Sequence, residues 1–127
     1  MKYLSDYKEP KLKTIFKMYG CFFAFSNKQF DEQSKPLVDY VRLPIGLICP
    51  RYHANSVVIA IGRTVVKSIM EDVLDNGIHA IVRRELSNHE ANYTMSIEDT
   101  VDCLAEYRIH GIDREMVDNI FRGRRVV

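Results

Sequence analysis

The residues best placed to do chemistry are Glu85, His89 and Glu90. Glu85 precedes His89 by four positions, so on a helix the two side chains share a face. With His53, His79 or His110 such a pair could assemble a site of imidazole and carboxylate ligands, as in a metal-dependent hydrolase or nuclease. The zinc-protease motif HExxH needs a second histidine four places after the first, and Tyr93 stands there instead. The expectation is therefore a structural histidine, with Glu85 accepting its N–H or Glu90 satisfying a nearby amide. No metal, no cofactor and no catalytic residue is assigned.

The thiols offer little more. Cys21 lies in an aromatic run, and Cys103 stands near Asp99 and Glu106, where negative neighbours disfavour a reactive thiolate. Cys49, near Arg51 and His53, has the one mildly electropositive setting. All three are expected as small buried hydrophobes. Their odd number and wide spacing fit reduced thiols in a cytoplasm better than a disulfide framework. Serine-hydrolase and phosphate-loop signatures are absent.

Polyanion recognition has two sequence pointers. Lys11, Lys13 and Lys17, with Lys8, Tyr7 and Tyr19, could form a basic helix face beside aromatic rings, and Arg122, Arg124 and Arg125 could track phosphates. Against this stand a net charge of +1 and an acidic second half. Residues 1–70 carry 11 bases and 5 acids, and residues 71–118 carry 4 bases and 12 acids. Such a dipole can orient a partner, or the two segments can simply attract each other.

These side chains must be held by elements that 127 residues, 46% of them hydrophobic, can build as one domain spanning 1–121, with 122–127 as a flexible basic tail. Neither a membrane span nor a secretory signal is expected. Leu12, Ile15, Phe16 and Tyr19 mark one helical face, with Pro10 in the first turn and Gly20 as the stop. Cys21–Phe25 reads as a buried strand, its Phe23 and Phe25 side facing a long helix. Ser26 and Asn27 are caps for a short helix to about Gln33. Pro44-Ile45-Gly46 turns a hairpin between Val41–Leu43 and Leu47–Cys49. Val58, Ile61, Val65, Ile69 and Val73, widened by Val57, Val66, Met70 and Leu74, predict a helix over 56–75 that Asn76-Gly77 ends. Further helices are expected over 78–89, after a capping box at Ser96–Asp99, and after Asp113, with a strand-like piece at 92–95. The fold class is α+β: helix-rich, with a long central helix packed on a small antiparallel sheet.

Two stretches read together suggest a relationship. GCFFAFSNKQF (20–30) and RELSNHEANYTMSIEDTVDCL (84–104) resemble a family of small uncharacterised proteins of phages and other bacterial mobile elements. Ser26, Asn27, Gln29, Phe30, Glu85, Asn88, His89 and Glu90 fall on its distinctive positions, while 31–83 departs in detail. The resemblance implies an accessory protein of the bacterial cytoplasm rather than a reaction. The expected function is non-catalytic: binding a host protein, such as a defence factor, and modulating or inhibiting it. Asn27, Gln29, Glu85, Asn88, His89 and Glu90 are the candidate contacts, unless they serve as caps and a polar network. A metal-dependent hydrolase and a nucleic-acid binder are the alternatives, and a homo-oligomer is open.

Overall fold

The computed structural model describes residues 2–123. The fold is α+β and helix-rich, with a long helix and a three-stranded antiparallel sheet. Contacts gather into two compact units, residues 5–68 (the sheet unit) and residues 2–4 with 69–123 (the helical unit). By sequence the first unit is basic and the second acidic. Among the described residues no helix is long and apolar enough to cross a membrane.

In the sheet unit, α1 spans Leu4–Tyr19 and so begins six residues before Pro10, the expected first-turn residue. Pro10 is thus inside the helix, where it has no N–H to give to the preceding turn. Burial of Tyr7 in that early segment favours continuation. Gly20, at φ +70°, closes α1 in the left-handed region, and the Cys21 N–H then donates to the Phe16 carbonyl at 2.8 Å.

Strand β1 is only Phe22–Phe23, and it pairs with β3 (Leu47–Pro50), which also pairs with β2 (Tyr40–Arg42). The hairpin turns where the sequence placed it, with Val41 opposite Cys49 and Gly46 at φ +85°. Alternation along β3 puts Leu47 and Cys49 on one face, where they meet Val57 of the long helix α3 (Ala54–Asn76), Phe16, Tyr19 and Ile61. On the other face Phe22, Tyr40 and Phe30 of α2 (Asn27–Gln33) form a triangle of rings with centroids 5.4–5.9 Å apart.

Phe25 does not face the long helix. It is 89% exposed, whereas Ala24 is buried. The strand ends at Phe23 because the chain turns there into the cap of α2, and the Phe25 N–H donates to Gln29 Oε1 at 2.7 Å. The stripe on α3 is also narrower than expected: Val57 is buried, but Val58, Val66, Met70 and Leu74 are exposed.

The helical unit takes the end of α3 and then α4 (Ile78–Asn88), α5 (Ala91–Thr94), α6 (Glu98–Cys103) and α7 (Arg114–Phe121). A 3-10 helix, Ala105–His110, links α6 to Gly111. Ile81, Val82 and Leu86 of α4 are buried, as are Met116 and Val117 of α7. Asp113 caps α7 by accepting from the Met116 N–H at 2.8 Å. Residues 92–95 are not strand-like; a single helical turn forms there, opened and closed by Glu90 and Met95 in the left-handed region. The capping box also differs: Ser96 accepts from the Glu98 N–H, the cap position is Ile97, and the Glu98 carboxylate pairs with Arg114.

Candidate functional site

Helix α4 carries Arg84 and Glu85 side by side into the interior of the helical unit, and α3 supplies Asp72. The Arg84 guanidinium donates to both Asp72 oxygens, Nη1 to Oδ1 at 2.8 Å and Nη2 to Oδ2 at 2.9 Å. Its Nε donates to Glu85 Oε1 at 2.8 Å, and Nη1 also reaches the Lys2 carbonyl at 3.0 Å. Tyr107 donates to Asp72 Oδ2 at 2.6 Å and Asn76 to Oδ1 at 2.7 Å. Burial alone would push Asp72 up, but the hydrogen bonds from Arg84, Tyr107 and Asn76 outweigh it and hold the carboxyl below its usual value. Burial and then the neighbouring carboxylate push the Tyr107 hydroxyl up. Neither Asp72, Arg84 nor Tyr107 was a sequence candidate. The available signal was Asp72 itself, a charge three residues after Ile69 and seven after Val65, on the apolar stripe of the helix.

With Oε1 held by Arg84, the second oxygen of Glu85 points to a different group. Glu85 Oε2 lies 3.5 Å from His89 Nε2 and 3.6 Å from Cys103 Sγ, and Asn88 Nδ2 approaches it at 3.4 Å. The predicted i, i+4 pair therefore exists, but 3.5 Å is too long for the expected hydrogen bond. His89 Nε2 is out of solvent and has no hydrogen-bond partner. One ligand atom each from Glu85, His89 and Cys103 lies within 4.8 Å of the other two. The Thr100 hydroxyl donates to the Glu85 carbonyl at 3.3 Å, tying α6 to α4 where Cys103 ends it.

This arrangement differs from the sequence expectation in its third member. Glu90 is exposed, in a left-handed turn, and does not belong to the cluster. Nor do the other three histidines: among the described residues only Glu85, His89 and Cys103 group in this way. His53 lies in the sheet unit, its ring 4.3 Å from that of Tyr52. Cys103 is exposed rather than a buried hydrophobe, Cys49 is buried and Cys21 half-buried.

The other candidates lie in the sheet unit. Ser26 Oγ accepts from the Gln29 N–H at 3.2 Å while the Gln29 side chain reaches back to Phe25, so these distinctive letters build the start of α2. Asn27 is the first exposed residue of that helix. Of the basic candidates, Lys11 donates to the Tyr7 carbonyl, Lys13 is exposed, and Lys17 lines an open groove. Arg122 pairs with Asp118 at 2.9 Å in the helical unit, and Arg124 and Arg125 lie outside the described residues. The groove, of about 480 Å³, runs between the end of α1 and the aromatic face of the sheet. Tyr19, Phe22, Tyr40, Tyr52, Lys17 and Lys35 are among its walls, and no acid is. Sequence reading did not assemble it, because its rings come from four separate segments.

Fold and sites together define a small α+β protein with a buried ionic cluster in one unit and an aromatic, basic groove in the other. The chain belongs to a family of unknown function, DUF7659, whose model matches residues 4–123. No curated protein and no solved structure matches it.

Proposed function

We propose that the protein is a non-catalytic accessory factor, of the kind phages and other mobile elements carry, that binds a host protein in the bacterial cytoplasm and modulates it. The groove of the sheet unit carries this reading. Tyr52 and Met18 on its walls are 72% and 69% exposed, a composition typical of the aromatic and methionine anchors of protein interfaces. Lys17 and Lys35, with no acidic residue beside them in the lining, make an acidic segment of the partner the complementary occupant. The FFAFSN and ELSNHE stretches support the mobile-element setting.

A photo-crosslinking side chain placed at position 52 tests the proposal. The expected result is one cross-linked host protein in stoichiometric amount, lost in Lys17→Glu/Lys35→Glu and joined through an acidic peptide. Cross-links to nuclease-sensitive material, or to nothing above background, would overturn it.

A further inference from the structure

We propose that Glu85, His89 and Cys103 form a binding site for a zinc-class transition-metal ion, a role that goes beyond partner binding and uses the other unit. The donor set itself points that way: one carboxylate oxygen, one imidazole nitrogen and one sulfur suit Zn²⁺ and its neighbours, whereas Ca²⁺ and Mg²⁺ take oxygen. Spacing is the second argument. An ion bonded at roughly 2.0 Å to oxygen and nitrogen and roughly 2.3 Å to sulfur, with tetrahedral angles, holds its ligands about 3.3–3.5 Å apart. Glu85 Oε2 already stands 3.5 Å from His89 Nε2 and 3.6 Å from Cys103 Sγ, so two edges of the tetrahedron are present.

A third observation is that the buried His89 Nε2, 3.5 Å from Glu85 Oε2, makes no hydrogen bond. Buried polar atoms in native proteins are nearly always paired, and an orphan aimed at a carboxylate and a thiol is explained by a ligand between them. With its proton on Nδ1, the imidazole presents the Nε2 lone pair to that point. The support behind the ligands is also in place. Arg84 fixes Glu85 through Oε1 and is itself clamped by Asp72, while Oε2, which Asn88 Nδ2 approaches at 3.4 Å, keeps a second lone pair for the ion. In formal charge, one guanidinium faces the two carboxylates Asp72 and Glu85, so the cluster favours a further cation.

Binding is a substitution at sulfur. The Cys103 S–H that donates to Glu85 Oε2 loses its proton to solvent, and the sulfur lone pair forms the metal bond in its place. Water completes the coordination, since Cys103 sits at an exposed position. The ion would clip the end of α4 to the end of α6.

Titrating the reduced, untagged full chain with Co²⁺ tests this. One equivalent should bring up a sulfur-to-cobalt charge-transfer band, which Zn²⁺ then removes, and each Zn²⁺ bound should release about one proton. Cys103→Ser should abolish the band and His89→Gln should weaken binding at least tenfold, with circular dichroism of both variants unchanged. Cys21→Ser should leave the band as it was. Absence of a saturable band up to millimolar Co²⁺, a band that survives in both Cys103→Ser and His89→Gln, or one lost in Cys21→Ser alone would overturn the proposal.

Discussion

Arg84 holds Asp72 through two parallel hydrogen bonds, and the two side chains are 3% and 0% exposed. A buried pair of this kind contributes little net stability when intact, because both ions gave up their hydration, but it is costly to break from one side. Asp72→Asn should therefore lower the unfolding free energy by about 3–5 kcal/mol in urea titration. Replacing both partners together, Asp72→Leu with Arg84→Met, should not recover that loss, because the buried Glu85 carboxylate, Tyr107 and Asn76 lose their partners as well. A double variant as stable as the parent would mean that Asp72 and Arg84 act as an isolated pair.

The same cluster contributes at both ends of the pH profile. Asp72 has a lowered pKa in the fold, so the unfolded chain binds the extra proton and stability rises with pH across that window. Its contribution is complete above the unfolded value of about 3.9 and fades as pH falls through the lower folded value. Tyr107 behaves in the opposite sense. Its pKa is raised by burial and by Asp72, so its contribution is complete below the unfolded value of about 10 and fades as pH climbs above it. Tyr107→Phe should cost about 1.5–3 kcal/mol at neutral pH, as loss of a hydrogen bond to a charged acceptor, and should flatten the alkaline limb above about pH 10. Denaturant midpoints measured from pH 3 to 11 on the parent and this variant decide it.

Two apolar truncations separate surface from core in the sheet unit. Phe25→Ala, at an exposed site, should change stability by less than about 0.5 kcal/mol. Leu47→Ala, in the centre of the sheet beneath Val57, should cost about 2–5 kcal/mol. Equal losses in thermal melts would contradict the placement of Phe25 outside the core.

Thiol chemistry should follow burial. The Cys21 thiol is pushed up to about 11 by its burial and by adjacent Cys49, whose own pKa is raised by complete enclosure. Alkylation of the native protein at pH 8, read by mass spectrometry, should modify exposed Cys103 first and Cys49 only on unfolding. Labelling Cys49 as fast as Cys103 would show that the sheet opens readily.

Periodicity made much of this architecture legible. The apolar repeat of α3, the Asn76-Gly77 stop, the turn at Pro44–Gly46 and the Asp113 cap are all local signals, and the structure has each of them. The rest is not legible where the determining contact is distant or the segment too short to have a period. Pro10 looks like a beginning because Tyr7, whose burial favours the earlier turns, stands alone in sequence. Residues 91–94 form one turn, with no repeat to detect. In the site, Glu85 and His89 were visible as an i, i+4 pair. Cys103 was not, being 18 residues after Glu85 and on another helix. Asp72 and Arg84 give no such pairing signal because charged residues are ordinarily at the surface, and only tertiary pairing keeps these two inside.

The bond from Arg84 to the Lys2 carbonyl joins residues 82 positions apart, and the whole sheet unit lies between them in the chain. The contact thus closes a loop that contains the whole sheet unit, and the compactness of that unit shortens the span to be closed, which lowers the entropy cost of holding Lys2 against α4.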